Sequence, residues 1–164
     1  MNWHFPISGW YTPGVPVRGH PGAFSSVRKH HIHEGVDIYC DHGIQVRAVE
    51  AGLITHAQWF TGPEAGSPWW LPTYAVFVEG ASGLVVYGEV NPRLAFGAHP
   101  GAQVKRGQAL GRVERVLRKN KGLPMSMLHI ELRAPGHTER FDWQLDSPKP
   151  DWLLDPTPYL LEAI

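Results

Sequence analysis

Short apolar runs separated by glycine and acidic residues dominate the middle of the chain. VDIYC, IQVRAV and GLITHA, then TYAVFVEG, GLVVYGEV, QALGRVERV and SMLHIELRA, are rich in β-branched residues. Runs of this kind bounded by turn formers predict strands joined by hairpins, and an antiparallel meander with side chains alternating between two faces follows. Elsewhere the pattern changes. Pro6, Pro13, Pro16 and Pro21 interleave with Gly9, Gly14, Gly19 and Gly22, so residues 1–30 predict an extended N-terminal segment with turns and short strands. Trp59 to Pro72, which contains TGPEAGSPWW, predicts a surface loop. Two weak helices are expected, one at Pro92–Ala98 and one in the tail 150–164, with Pro156 in its first turn after Asp155. Gly43-Ile-Gln-Val-Arg47 echoes Gly101-Ala-Gln-Val-Lys105, which predicts two similar turn-strand corners. The expected fold class is mainly β, an antiparallel sheet with long loops and little helix.

Composition narrows the function classes. The length of 164 residues fits one domain, 1–164. Lys+Arg and Asp+Glu both number 15, so the chain lacks the basic excess that gathers phosphate backbones, and nucleic acid is not expected as a partner. Cys40 is the only cysteine, which rules out an intrachain disulfide. No apolar run approaches the ~18 residues of a membrane span. The start MNWHFPISGWYTPGVPV carries neither a basic head nor an apolar core of an export signal, so a cytoplasmic location is expected, with action at the cell envelope by another route. Histidine stands out: six of the 10 lie between His4 and His42.

In that segment His33 and Asp37 form an H-x-x-x-D spacing, with Gly35 permitting a turn and a strand beginning at Val36. Far downstream, His129 lies on the strand of SMLHIELRA, where residues 127, 129 and 131 share a face. Two imidazoles and one carboxylate suit zinc, and three protein ligands leave a fourth position for water, the arrangement of a catalytic site. The spacing alone does not decide this, since ten histidines generate such spacings by chance. His30 and His31 read as solvated groups or as hydrogen-bond partners behind the ligands, and Glu34 follows His33 too closely to face the same point. Glu131 reads either as an orienter of the His129 ring or as a surface ion pair. Trp59, Trp69 and Trp70 read as cover for a small core, or as a groove wall. The basic run Val116–Gly122 reads as a solvated hairpin, or as an attractor of acidic peptides beside the SMLH strand.

The order of motifs resembles the lysostaphin/LytM-type zinc metallopeptidase family from about Phe5 through the DPTPYL tail. HEGVDIY resembles the family's H-x-G-x-D-[IL] segment, and GIQVRAVEAGLI its G-x-x-V-x-A-x-x-x-G-x-[IV] hairpin. GAQVKRGQALGRV resembles its G-x-x-V-x-x-G-[QD]-x-[IL]-G turn, and MLHIELR its closing H-x-H-[FIL]-E strand. The resemblance implies a β-sheet groove with Zn2+ at its floor, held by His33, Asp37 and His129, and a substrate among the peptides of bacterial peptidoglycan or related peptides.

The sequence departs from the family at two proton-transfer positions. Met127 stands where the first histidine of H-x-H is expected, and a thioether moves no proton. Glu89, in Val86-Tyr87-Gly88-Glu89-Val90, stands where the family has another histidine. Its carboxylate has three possible roles: general base, fourth zinc ligand, or ion-pair partner of a Lys or Arg. Tyr87 alternates onto the same face as Glu89, and Tyr74 and His99 are candidates to hold an oxyanion. Two functions follow: a zinc hydrolase with Glu89 as its catalytic residue, or an impaired relative that binds peptide or cell wall or regulates a partner. A lipoyl-type carrier domain shares the paired glycine turns, but the chain lacks the lysine such a domain presents at a hairpin tip.

Overall fold

The computed structural model describes residues 2–120, 122 and 124–164. The apolar runs become strands: β1 Val36–Tyr39, β2 Gln45–Arg47, β3 Gly52–Thr61, β4 Thr73–Gly80, β5 Gly83–Val90, β6 Gln103–Val104, β7 Ala109–Arg112, β8 Met127–Arg133 and β9 Leu153–Leu154. The main sheet has the order β1-β8-β5-β4-β3-β6, with β9 added to β8, and β2 and β7 form a separate ribbon. All these pairings are antiparallel. The mainly β expectation and the fold class stand.

Alternation gives the sheet two different faces. Val36, Ile38, Val76, Val78, Val85, Tyr87, Leu128, Ile130 and Leu132 point into the main core, where Trp3, Phe5, Val46, Leu110 and Leu160 meet them. On the opposite face Ala75, Phe77, Leu84 and Val86 form a smaller apolar cluster with Phe60. Met127, His129, Glu131 and Arg133 alternate with the core-facing residues of β8 and therefore belong to that second face. The chemistry lies on a floor whose underside is the core.

Several local expectations change. Trp59, Phe60 and Thr61 are strand and not loop: β3 continues through them, with Trp59 opposite Tyr74 and Thr61 opposite Thr73. Aromatic and β-branched residues prefer that pleated setting, and the turn begins only at Gly62, which adopts φ 97°. Pro92–Ala98 is turn and not helix. The Asn91 Oδ1 atom accepts the Arg93 N–H at 2.8 Å, and Gly97 takes a left-handed φ of 82°, both of which interrupt helical φ/ψ. The tail does carry a helix, α1 Thr157–Ala163, but Pro156 caps it from outside. Gly43 and Gly101 adopt φ of 89° and 90° and feed β2 and β6 respectively, so the two corners match. Residues 2–30 hold no strand, only an isolated bridge from Val27 to Ile32, yet Trp3, Phe5, Ile7 and Val15 are buried. The basic run Val116–Gly122 includes Lys121, which lies outside the described residues.

Candidate metal centre

Strand pairing brings the distant donors together. Asp37 on β1 faces His129 on β8 directly across the ladder, so their side chains rise from one spot on the same face. His33 arrives from a tight hairpin: its N–H donates to the Ser26 carbonyl at 2.9 Å, and its carbonyl accepts the Ser25 N–H at 2.9 Å. Between them Gly35 passes under β8. A Cβ at position 35 would lie 2.4 Å from the Ile130 carbonyl oxygen and 2.9 Å from the His129 ring, so only glycine fits. Gly35→Ala is expected to cost about 1–3 kcal/mol of stability through overpacking. Urea unfolding checks this, and an unchanged midpoint would contradict the tight passage.

His33, Asp37 and His129 form a buried donor cluster whose ligand atoms lie within 4.8 Å of one another. His33 Nε2 is 3.2 Å from Asp37 Oδ1 and 3.3 Å from His129 Nδ1, and His129 Nδ1 is 2.8 Å from Asp37 Oδ1. The other ring nitrogens are committed. His33 Nδ1 donates to the Ala23 carbonyl at 2.9 Å, and His129 Nε2 donates to Glu131 Oε1 at 2.9 Å. Once His33 Nε2 and His129 Nδ1 give up the protons they share with Asp37, three lone pairs can meet at one point, a set that suits a cation. Tetrahedral zinc at about 2.0–2.1 Å from its donors separates them by roughly 3.3–3.4 Å, close to the observed spacing. The donor set therefore fits the ion. Burial opposes charge on both Asp37 and His129. For Asp37 it is outweighed by the His33 charge and the hydrogen bonds from His129 and His33, which hold the carboxyl well below its ordinary range. For His129 the bonds to Asp37 and Glu131 outweigh it and hold the imidazole well above its own.

Behind His129 runs a buried chain of charge. Both Glu131 oxygens are used: Oε1 by His129, and Oε2 by Arg133 Nε at 2.8 Å and Nη2 at 2.7 Å. Arg133 Nη1 then donates to the carbonyls of His137 and Glu139, both at 2.8 Å. Glu131 is thus the ring orienter and not a surface ion pair. On the other side, β5 meets His129 through Gly88. A Cβ on Gly88 would lie 2.7 Å from Phe60 Cε2, and its absence lets the Phe60 ring sit 5.3 Å from the His129 ring.

Glu89 is the least expected side chain. Tyr87 turns into the core, where its hydroxyl accepts the Val49 N–H at 2.8 Å, and plain alternation would send Glu89 there too. Instead Glu89 takes φ 65° beside a bulge in the β4–β5 register, and its side chain lines the groove. The expectation that Tyr87 and Glu89 share a face is corrected by that bulge. The Glu89 carboxyl is buried with Oε2 unpartnered. Burial, then the Asp37 charge, pushes its pKa up to about 8. A left-handed non-glycine carrying an orphan carboxyl is a cost that marks functional sites.

The groove has a volume of about 330 Å³ and is walled by Trp59, Trp69, Trp70, Phe141 and Arg140 among others, so the tryptophans line it. Arg28 and His31 lie at its rim as well. His30 is exposed, and Glu34 accepts the Trp143 N–H at 2.9 Å, which anchors the 139–142 wall. Among the groove-lining residues neither Tyr74 nor His99 appears: Tyr74 packs edge-on against Trp59 at 4.6 Å, and His99 is exposed. The oxyanion role expected of them is therefore not supported. Sequence reasoning missed Arg28, Phe60, Arg133 and the 139–142 wall. Only Arg133 had a readable signal, its position two residues beyond Glu131 on one strand face.

The sequence matches Peptidase family M23 over residues 31–142, well over half of the chain. The chain belongs to the M23 peptidase family. No curated protein sequence matches it. Its structure is similar to that of CbpA from L. salivarius REN, at 17% identity and TM-score 0.61, over 99% of this chain and 96% of that one. It is also similar to lysostaphin, at 19% identity and TM-score 0.51, over 98% of this chain and 50% of that one. A zinc-containing peptidase from Vibrio cholerae aligns at 20% identity and TM-score 0.50, over 80% of this chain and 36% of that one. The chain thus spans half or less of the last two proteins, and at these identities the likeness defines the fold.

Proposed function

We propose that this chain is a zinc-dependent peptidase that hydrolyses peptide bonds of peptidoglycan or related peptides, with His33, Asp37 and His129 as metal ligands and Glu89 as general base. The clustering of these three buried donor residues at the groove floor carries the reading. Family membership and the likeness to lysostaphin and a zinc-containing peptidase support the substrate class. Zinc, when bound, supplies a dication that polarises a carbonyl, activates water and draws the proton off Glu89.

The chain's own residues then have defined work. The aromatic wall of Trp59, Trp69 and Trp70 holds an extended peptide over the floor. Glu89 takes a proton from the attacking water as the water oxygen bonds to the carbonyl carbon and the carbonyl π pair moves onto oxygen. The C–N bond then breaks with its pair on nitrogen, and Glu89 returns the proton there. Glu131 and Arg133 keep His129 in the tautomer that offers Nδ1. The ligand group comprises His33, Asp37 and His129 without Glu89, which favours the base over the fourth-ligand role.

Met127, a thioether on the same strand face as His129, favours a second reading: a member that binds peptide without cutting it. Mass spectrometry of muropeptides digested by the zinc-loaded protein decides between the two, with a chelated sample as control. New fragments that vanish on chelation support the peptidase. Intact muropeptides with zinc confirmed present would leave the binding role.

A further inference from the structure

A peptidase of this kind needs a group to hold the negative charge that develops on the substrate carbonyl oxygen, and Met127 and Glu89 replace the two imidazoles the family carries beside its metal. One cation touches the donor cluster with hydrogen-bonding capacity to spare. Arg28 Nη2 donates to Asp37 Oδ2 at 2.8 Å and to the Pro21 carbonyl at 3.1 Å. Its Nε and Nη1 make no hydrogen bond among the described residues, its side chain is 31% exposed, and it lines the groove. The other guanidinium near the cluster, Arg133, is buried and saturated, with Nε, Nη1 and Nη2 all committed.

Arg28 is also held in place. It sits at the tip of the hairpin that delivers His33, where its N–H donates to the His31 carbonyl at 2.9 Å and Val27 bridges Ile32. The two bonds from Nη2, to Asp37 and to the Pro21 carbonyl, tether the guanidinium and leave Nε and Nη1 to donate singly to a ligand. Glu89 lines the same groove, so base and cation border one space.

We propose that Arg28 is a catalytic residue that donates from its unpaired Nε or Nη1 to the substrate carbonyl oxygen and holds the charge building there in the transition state. This rests on the peptidase reading above. An oxyanion donor contributes about 10²–10³ in kcat, because it binds the charged tetrahedral state better than the planar amide.

The test compares wild type, Arg28→Gln and Arg28→Lys, all zinc-loaded, on three readouts: zinc affinity by chelator competition, muropeptide hydrolysis, and binding of a phosphinate pseudopeptide against its matched amide. The phosphinate carries the tetrahedral anion that the amide lacks. For Arg28→Gln, kcat is expected to fall about 10²–10³-fold with KM nearly unchanged. Phosphinate binding should weaken at least tenfold while amide and zinc binding hold, and Arg28→Lys should recover part of each loss. In a fourth protein, Arg28→Ala, free guanidinium ion at millimolar concentration should raise the rate. Equal losses for phosphinate and amide, or a matching loss of zinc affinity, would overturn the proposal and reduce Arg28 to a positioning residue for Asp37. If wild type cuts no muropeptide, the peptidase reading fails by itself. The binding arms still judge Arg28, and a wild type that does not prefer phosphinate to amide would count against it.

Discussion

Glu89→Gln is expected to lower muropeptide hydrolysis by about 10²–10⁴-fold while leaving zinc content intact. Such a loss corresponds to about 3–5 kcal/mol of barrier. Glutamine keeps the shape and can still hydrogen-bond, but it cannot take a proton, so the variant isolates the base from the rest of the site. Steady-state kinetics with zinc analysis on the same preparation supply both readouts. Zinc lost in parallel with activity would instead make Glu89 a ligand. The substitution has a second consequence in the metal-free protein. The Glu89 pKa is raised from 4.5 to about 8 by burial and by Asp37, so between those values the folded state keeps a proton that the unfolded chain releases. This contribution to stability is fully present below about pH 4.5 and is lost as pH rises toward 8. Glutamine has no such titration. Chelated wild type and variant should therefore melt closer together at pH 5 than at pH 9, with the variant the more stable at pH 9. A gap independent of pH would refute the burial argument.

Loss of a ligand should be felt most in metal affinity. His129→Ala is expected to weaken zinc binding beyond the 10–100-fold typical of removing an orienting partner, whereas Glu131→Gln should fall within that range. Chelator competition distinguishes the two. Calorimetry gives an independent view: zinc at a hundred times its dissociation constant stabilises wild type by about 2.7 kcal/mol, and that increment should vanish in His129→Ala. Wild-type affinity retained by His129→Ala would remove this cluster as the metal site. Asp37 and His33 remain in the variant, but two donors facing a deleted third do not close the coordination that zinc prefers.

The sequence carried most of the sheet because the β-branched runs have sharp boundaries. VDIYC and SMLHIELRA announce β1 and β8, and period two along β8 places His129 and Glu131 together before any pairing is known. The H-x-x-x-D spacing was readable too, though Gly35 was read as a turn former and its close approach to β8 emerged only from the strand pairing. Glu89 was identified by position, but its direction was not readable. A left-handed turn at a glutamate has no local signal, because glutamate does not favour that conformation, and the bulge that permits it depends on how β4 and β5 pair. Trp59–Thr61 was misjudged because the neighbouring glycines and prolines obscured three good strand formers. The partnership of Arg28 with Asp37 was invisible for another reason: it depends on a hairpin closed by backbone hydrogen bonds between Ser25, Ser26 and His33.

The pairing of β1 with β8 governs more than geometry. His33 and Asp37 stand 96 and 92 residues from His129 along the chain, and the structure joins them through the most non-local contacts of the sheet. Closing so long a loop is entropically costly and slow. The three donors therefore coexist only once the sheet has zipped shut, and an ion cannot seed the fold as it does in a zinc finger. An ion taken up by these donors would follow the pairing of β1 with β8, and would act as a clasp that keeps those two strands from parting.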